Sequence, residues 1–109
     1  MQIKITTTDK FSSKEWISYQ DSFNQVFETN RDLNYFKHKY NDAVDGFSYH
    51  ALLLNDNCDV VGGCSVLPMM YNKSEDIVKI GQAVDVFIRE DFRTDPLMLK
   101  RMYSKLKEI

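Results

Sequence analysis

Asp85 stands inside a run of apolar residues, flanked by Val84 on one side and by Val86, Phe87 and Ile88 on the other. A carboxylate in such a run has a partner, sits at an opening in a sheet, or is used chemically, because an unpaired buried charge is costly. A purely structural aspartate, bonded to nearby backbone or to an arginine, is the other reading. Arg93 follows in the next loop. Its planar guanidinium suits phosphate oxygens, and a surface salt bridge with Asp91 or Asp95 would use it equally well. Pro96 then opens a helical pattern, and the amides of Leu97, Met98 and Leu99 would converge at its N-terminus, where an anion can be held. Tyr71 and Gln82 lie on strand-like segments and are candidates for lining a substrate cleft, with ordinary strand surface as the alternative.

The remaining reactive side chains point to less chemistry. Cys58 and Cys64 lack CxxC spacing, and His38 and His50 form no ligand cluster with them, so no metal site is expected. Cys64 follows the Gly62-Gly63 pair but has no adjacent histidine to activate it. His50 reads as a satisfied structural histidine and Trp16 as a packing residue. Met102 and Tyr103 fall at core spacing.

The elements that must position these groups are legible from periodicity. Residues 2–7 suit a short strand of β-branched residues. Ser12 and Glu15 have capping-box spacing, with Phe11 and Trp16 at the positions of a hydrophobic staple. Tyr19, Phe23, Val26 and Phe27 continue at helical spacing to about Glu28. Asn30 or Asp32 can cap a second, shorter helix containing Leu33, Phe36, Lys37 and Tyr40. Three strands follow over 49–54, 60–71 and 77–88, the first two separated by Asn55-Asp56-Asn57 and the last two by a loop at 72–76. Pro68 places a bulge or a free edge in the second of them. The last helix has Thr94 or Asp95 as cap, Pro96 at its first position, and an apolar stripe of Leu99, Met102, Tyr103 and Leu106. Hairpin spacing makes the three strands an antiparallel meander.

Composition limits the functional classes. The 109 residues suit one domain, 1–109, with 43% hydrophobic and 28% charged residues. A net charge of −2 with acids and bases interspersed gives no basic face for nucleic acid. No apolar run approaches the roughly 20 residues of a membrane span, and the N-terminus lacks a signal-peptide core. A cytoplasmic protein with reduced thiols is the expectation.

The pattern Ile88-x-x-x-Phe92-Arg93 before a helix resembles the acyl-CoA-binding segment of the GNAT N-acyltransferases. The order strand, helix, helix, three strands, helix resembles the N-terminal half of that domain, and Val60-Val61-Gly62-Gly63 resembles its second long strand. The family's loop carries glycines where this chain has Pro96 and Met98, so its acyl-CoA loop is degenerate here. The resemblance implies an α/β (α+β) fold: a GNAT-like mixed sheet with a central antiparallel three-strand meander and flanking helices. It also implies a further strand, helix and strand hairpin, for which this chain offers no residues.

The same resemblance implies the site. Asp85 would be the base that deprotonates an amine. Val86, Phe87 and Ile88 would bind the pantetheine of acetyl-CoA or another acyl-CoA as an added strand. Arg93, Leu97, Met98 and Leu99 would meet its phosphates, and Tyr71 and Gln82 the acceptor. The expected partners are a small-molecule amine and, through the open sheet edge, a second copy of the chain. A non-catalytic GNAT-like binding or assembly domain is the alternative, followed by an unrelated α/β interaction module.

Overall fold

The computed structural model describes residues 1–42, 45–73 and 76–107. Its elements keep the expected order: strand β1 (Gln2–Thr7), helices α1 (Ser13–Phe27) and α2 (Leu33–Asn41), strands β2 (Tyr49–Leu54), β3 (Val60–Lys73) and β4 (Asp76–Ile88), and helix α3 (Met98–Leu106).

The first helix starts as its sequence dictates. Ser12 Oγ accepts from the Glu15 amide at 3.1 Å, and the Ser12 amide donates to Glu15 Oε1 at 2.8 Å. The Phe11 and Trp16 rings meet with centroids 4.7 Å apart, so the staple is present. Helix α1 ends at Glu28, which takes a left-handed φ of 55°. Asp32, and not Asn30, caps α2 by accepting from the Tyr35 amide at 2.9 Å.

The four strands pair in the order β1-β2-β3-β4, and every pairing is antiparallel. The expected meander is β2-β3-β4. The parallel partner that would make the sheet mixed is absent among the described residues. Strands β3 and β4 run further than expected, into the 72–76 segment read as a loop; Ser74 and Glu75 lie outside the described residues. β2 covers β3 only from Val60 to Val66. Beyond that point β3 and β4 continue as a two-stranded arm, and Pro68 sits in the arm opposite Gly81. A proline there removes no needed ladder bond on the uncovered side.

Strand alternation sorts the core into two layers. Leu52 and Leu54 of β2 face α1 and α2, joined by Tyr19, Phe23, Phe36, Tyr40, Val60 and Phe87. Ala51 and Leu53 face α3, joined by Val61, Cys64, Ile88, Met102 and Leu106. Helices therefore cover both faces.

The last helix departs from its reading in two ways. It begins at Met98, with Leu97 as the residue before it and Pro96 outside it. Residues 95–98 form a turn instead. The Asp95 carbonyl accepts from the Met98 amide at 3.1 Å, and Leu97 has φ −97° and ψ 3°. Asp first and Pro second are favoured residues for a type I turn with those angles, so the proline that looked like a helix opener serves the turn. The apolar stripe is also narrower. Met102 and Leu106 are buried, while Leu99 and Tyr103 are 39% and 43% exposed, because only one i, i+4 row of this helix meets the sheet.

Gly62 ties β3 to the end of β4. A Cβ at that position would come within 2.9 Å of the Phe87 carbonyl oxygen and 3.0 Å of Ile88 Cγ1. Gly62→Ala is therefore expected to destabilise the fold by about 1–3 kcal/mol, read as a lowered melting temperature.

Candidate functional site

The site is built on an irregularity in β4. Gly63 pairs with Phe87 and Ser65 with Val84, so Asp85 and Val86 together oppose the single residue Cys64. This is a β-bulge, a device that re-aims a side chain. Asp85 adopts φ 52°, a left-handed conformation that aspartate tolerates better than most residues. The bulge turns its carboxylate toward α2. Lys39 Nζ donates to Oδ1 at 2.9 Å, and the Tyr40 hydroxyl donates to Oδ2 at 2.6 Å. The partners are a lysine and a tyrosine, where backbone or an arginine was the expected structural alternative. The carboxylate side chain is 12% exposed.

Two clefts lie near this carboxylate, one lined by its partner Lys39 and the other by its sequence neighbour Val86. β4 is the end strand of the sheet, and among the described residues no strand pairs along its outer side. Beside its last residues lies a cleft of about 280 Å³ lined by Val26, Val86, Phe87, Ile88, Arg93, Leu99 and the Asp95-Pro96 turn. Five of the residues expected to hold an acyl donor are thus brought together: Val86, Phe87, Ile88, Arg93 and Leu99. Leu97 and Met98 are not. The Leu97 amide donates to Asp95 Oδ1 at 2.9 Å and the Met98 amide to the Asp95 carbonyl, so the turn occupies both amides. Arg93 Nε donates to the Ile88 carbonyl at 2.7 Å, which draws the guanidinium over the end of β4. The salt bridges considered for it are taken by others: Asp91 faces Arg89 at 3.7 Å, and Asp95 pairs with Arg101.

The second cleft, about 450 Å³, lies where the β3–β4 arm leaves the sheet, and is lined by Lys39, Asp42, Leu67, Pro68, Met69, Met70 and Gln82. Gln82, one of the two residues considered for a substrate cleft, lines this one; the side chain of Tyr71, the other, lies outside the described residues. Asp42 accepts from His38 at 3.0 Å, and that bond and charge raise the His38 pKa. Asp85 stands between lining residues of the two clefts, bonded to Lys39 of one and adjacent in sequence to Val86 of the other.

Behind Asp85 runs a linked set of polar groups, of which sequence reasoning had only His50, as a satisfied structural histidine. Tyr40 Oη is 2.6 Å from Tyr19 Oη, which is 3.4 Å from Ser65 Oγ. Ser65 Oγ is 2.8 Å from His50 Nδ1, and His50 Nε2 is 2.6 Å from Ser48 Oγ. All five residues are buried. Burial lowers the His50 pKa to about 3 and raises those of both tyrosines. In the sequence Tyr19 and Tyr40 pass for members of apolar helix faces; the only clue to Ser65 is a polar residue amid an apolar strand.

Cys64 is buried behind the bulge and its thiol pKa is raised by burial, which keeps it unreactive. Among the described residues no group of three His, Cys, Asp or Glu side chains could hold a metal ion, and no helix is long and apolar enough to cross a membrane.

No family model and no curated protein matches this chain. Among solved structures it is similar to the crystal structure of a GNAT family acetyltransferase from Staphylococcus aureus, with a TM-score of 0.65 at 17% sequence identity. The likeness covers 99% of this chain and 77% of that one. The fold is therefore GNAT-like.

Proposed function

We propose that this chain is an N-acyltransferase domain that moves an acyl group from acyl-CoA to a small-molecule amine. The observation that carries the reading is the cleft on the unpaired edge of β4, which gathers Val86, Phe87, Ile88, Arg93 and Leu99 next to the Asp85 bulge. Free backbone groups on an edge strand can take an extended pantetheine as an added strand, and Arg93 supplies a multi-donor cation for phosphate. The amine enters from the cleft holding Lys39 and Gln82. Its nitrogen attacks the thioester carbonyl, the new N–C bond forms as the C–S bond breaks, the thiolate leaves, and the amine proton passes to Asp85. Holding both reactants on one strand supplies proximity. Both cysteines are free, which agrees with a cytoplasmic setting.

One feature favours the second reading, a GNAT-like binding or assembly domain without turnover. The turn at 95–98 consumes two amides, contains a proline without an N–H, and puts the acidic Asp95 on the lining of the cleft, a charge that disfavours phosphate. Calorimetry with acetyl-CoA, followed by thiol release in the presence of an amine panel, decides between them. Binding with turnover supports the transferase; binding without turnover on any amine supports the second reading; no binding rejects both uses of the cleft. Arg93→Ala is expected to weaken acetyl-CoA binding about tenfold, the worth of one hydrogen bond to a charged group. The same open edge would also accept a second copy of the chain. Sedimentation with and without acetyl-CoA tests this: a dimer that acetyl-CoA dissociates means that both compete for β4.

A further inference from the structure

We infer that Tyr40 is a positioning residue for Asp85, and that the buried groups behind it form a one-directional hydrogen-bond chain, Ser48 to His50 to Ser65 to Tyr19 to Tyr40, with every proton aimed at the Asp85 carboxylate. The inference rests on the acyltransferase reading of Asp85 for its functional part, and on hydrogen-bond geometry with an ionised carboxylate and a neutral imidazole for its direction.

The direction follows from counting protons. An ionised carboxylate only accepts, so the single hydroxyl hydrogen of Tyr40 is spent on Asp85 Oδ2 at 2.6 Å. At the 2.6 Å contact between the two tyrosines, Tyr40 can then only accept, and Tyr19 donates. With its own hydrogen spent, Tyr19 accepts from Ser65, through the longest link of the chain at 3.4 Å. Ser65 in turn accepts at 2.8 Å from His50, so Nδ1 of the imidazole carries the hydrogen. The ring is neutral and has one hydrogen only. Nε2 is therefore bare, and Ser48 Oγ donates to it at 2.6 Å. Phe11, Tyr19 and Tyr40 rings stand edge-on to His50 at centroid distances of 5.0, 5.9 and 4.7 Å, which closes the imidazole off from water.

Aligned hydrogen bonds in a low-dielectric interior polarise one another, so the last bond, from Tyr40 to Asp85, is strengthened by all those behind it. The chain ends blind at buried Ser48, and a strongly disfavoured imidazolium cannot store a proton. It therefore orients Asp85 and does not conduct protons away from it. Lys39, which faces the acceptor cleft, straddles the carboxylate, with Nζ 2.9 Å from Oδ1 and 2.8 Å from Oδ2, and is the partner an incoming ammonium displaces. The buried chain keeps the carboxylate aimed during that exchange.

Nitrogen NMR of the His50 ring in the wild-type protein tests the direction. The expected result is a neutral ring protonated at Nδ1, and a shift of population toward Nε2–H in Tyr40→Phe, where Tyr19 loses its acceptor and turns toward Ser65. A wild-type ring protonated at Nε2 would overturn the chain. Kinetics test the positioning: Tyr40→Phe should lower kcat roughly tenfold with acetyl-CoA affinity unchanged. An unchanged kcat, in a protein where Asp85→Asn is impaired, would overturn the role of Tyr40. A wild-type protein that binds no acetyl-CoA would instead remove the activity on which the role rests, while the tautomer still decides the direction of the chain.

Discussion

Asp85→Asn is expected to lower turnover by roughly 100-fold or more, the usual worth of a positioned general base, and to leave acetyl-CoA affinity nearly unchanged. The substitution suits the site. Asparagine is among the few residues that accept a left-handed backbone, so the φ of 52° at the bulge costs it little. The amide has the volume of the carboxylate and its one oxygen can still accept from Lys39 or Tyr40, but its NH2 cannot accept from the other and it cannot take the amine proton. The donor cleft begins one residue later, at Val86, and none of its lining side chains changes. Stopped-flow turnover and calorimetry on the same preparation separate the two effects. An unchanged rate together with a lowered melting temperature would assign Asp85 to structure alone and would make the bulge a folding feature.

Acid should unfold this protein early, and His50 should be a main cause. Its ring is buried and its pKa falls from the ordinary 6.5 to about 3 because the charged form is desolvated. Below pH 6.5 the unfolded chain binds a proton at this position that the native state refuses. Stability therefore rises with pH across the window from 3 to 6.5 and falls as the solution is acidified through it. The slope is ~1.4 kcal/mol per pH unit, and the whole window costs about 5 kcal/mol. Two other groups bear on the same range. For Glu15, burial pushes the pKa up, but the Lys4 ammonium at 2.7 Å and the Ser12 amide outweigh it and leave the pKa lowered. Its stabilisation is present above about 4.5 and is lost only as pH falls further. His38 is exposed and its pKa is raised by Asp42, so its small contribution has the opposite sign. Between pH 6.5 and 5, then, His50 dominates. Denaturant melts across that interval should show the slope in the wild-type protein and a flattened slope in His50→Gln, whatever the starting stability of the variant. Parallel slopes would place the acid sensitivity elsewhere.

Much of the architecture was written in local sequence. The Ser12–Glu15 box, the Phe11–Trp16 staple and the α2 cap are short-range devices whose partners lie within five residues, so spacing reveals the first two and narrows the third to Asn30 or Asp32, of which the structure uses Asp32. The 49–54 strand and the division of Ala51 through Leu54 between two core layers follow from the two-residue period of a strand. The resemblance around Ile88, Phe92 and Arg93 pointed to the GNAT-like fold, and Asp85 stood out because a charge in an apolar run demands an explanation.

The tertiary structure decided what those residues meet. Pro96 suits a helix start and a type I turn equally well, and the Asp95 carbonyl and carboxylate settled the choice by capturing the next two amides. The width of the α3 stripe depended on how the helix lies on the sheet, which left Tyr103 and Leu99 half-exposed. Above all, the partners of Asp85 come from Lys39 and Tyr40, more than forty residues earlier, and the chain behind them joins α1, α2, β2 and β3. No periodicity encodes such a contact. A tyrosine on a helix face has the same spacing whether its hydroxyl is buried against a carboxylate or left in water, and only the bulge that turned Asp85 inward made the difference.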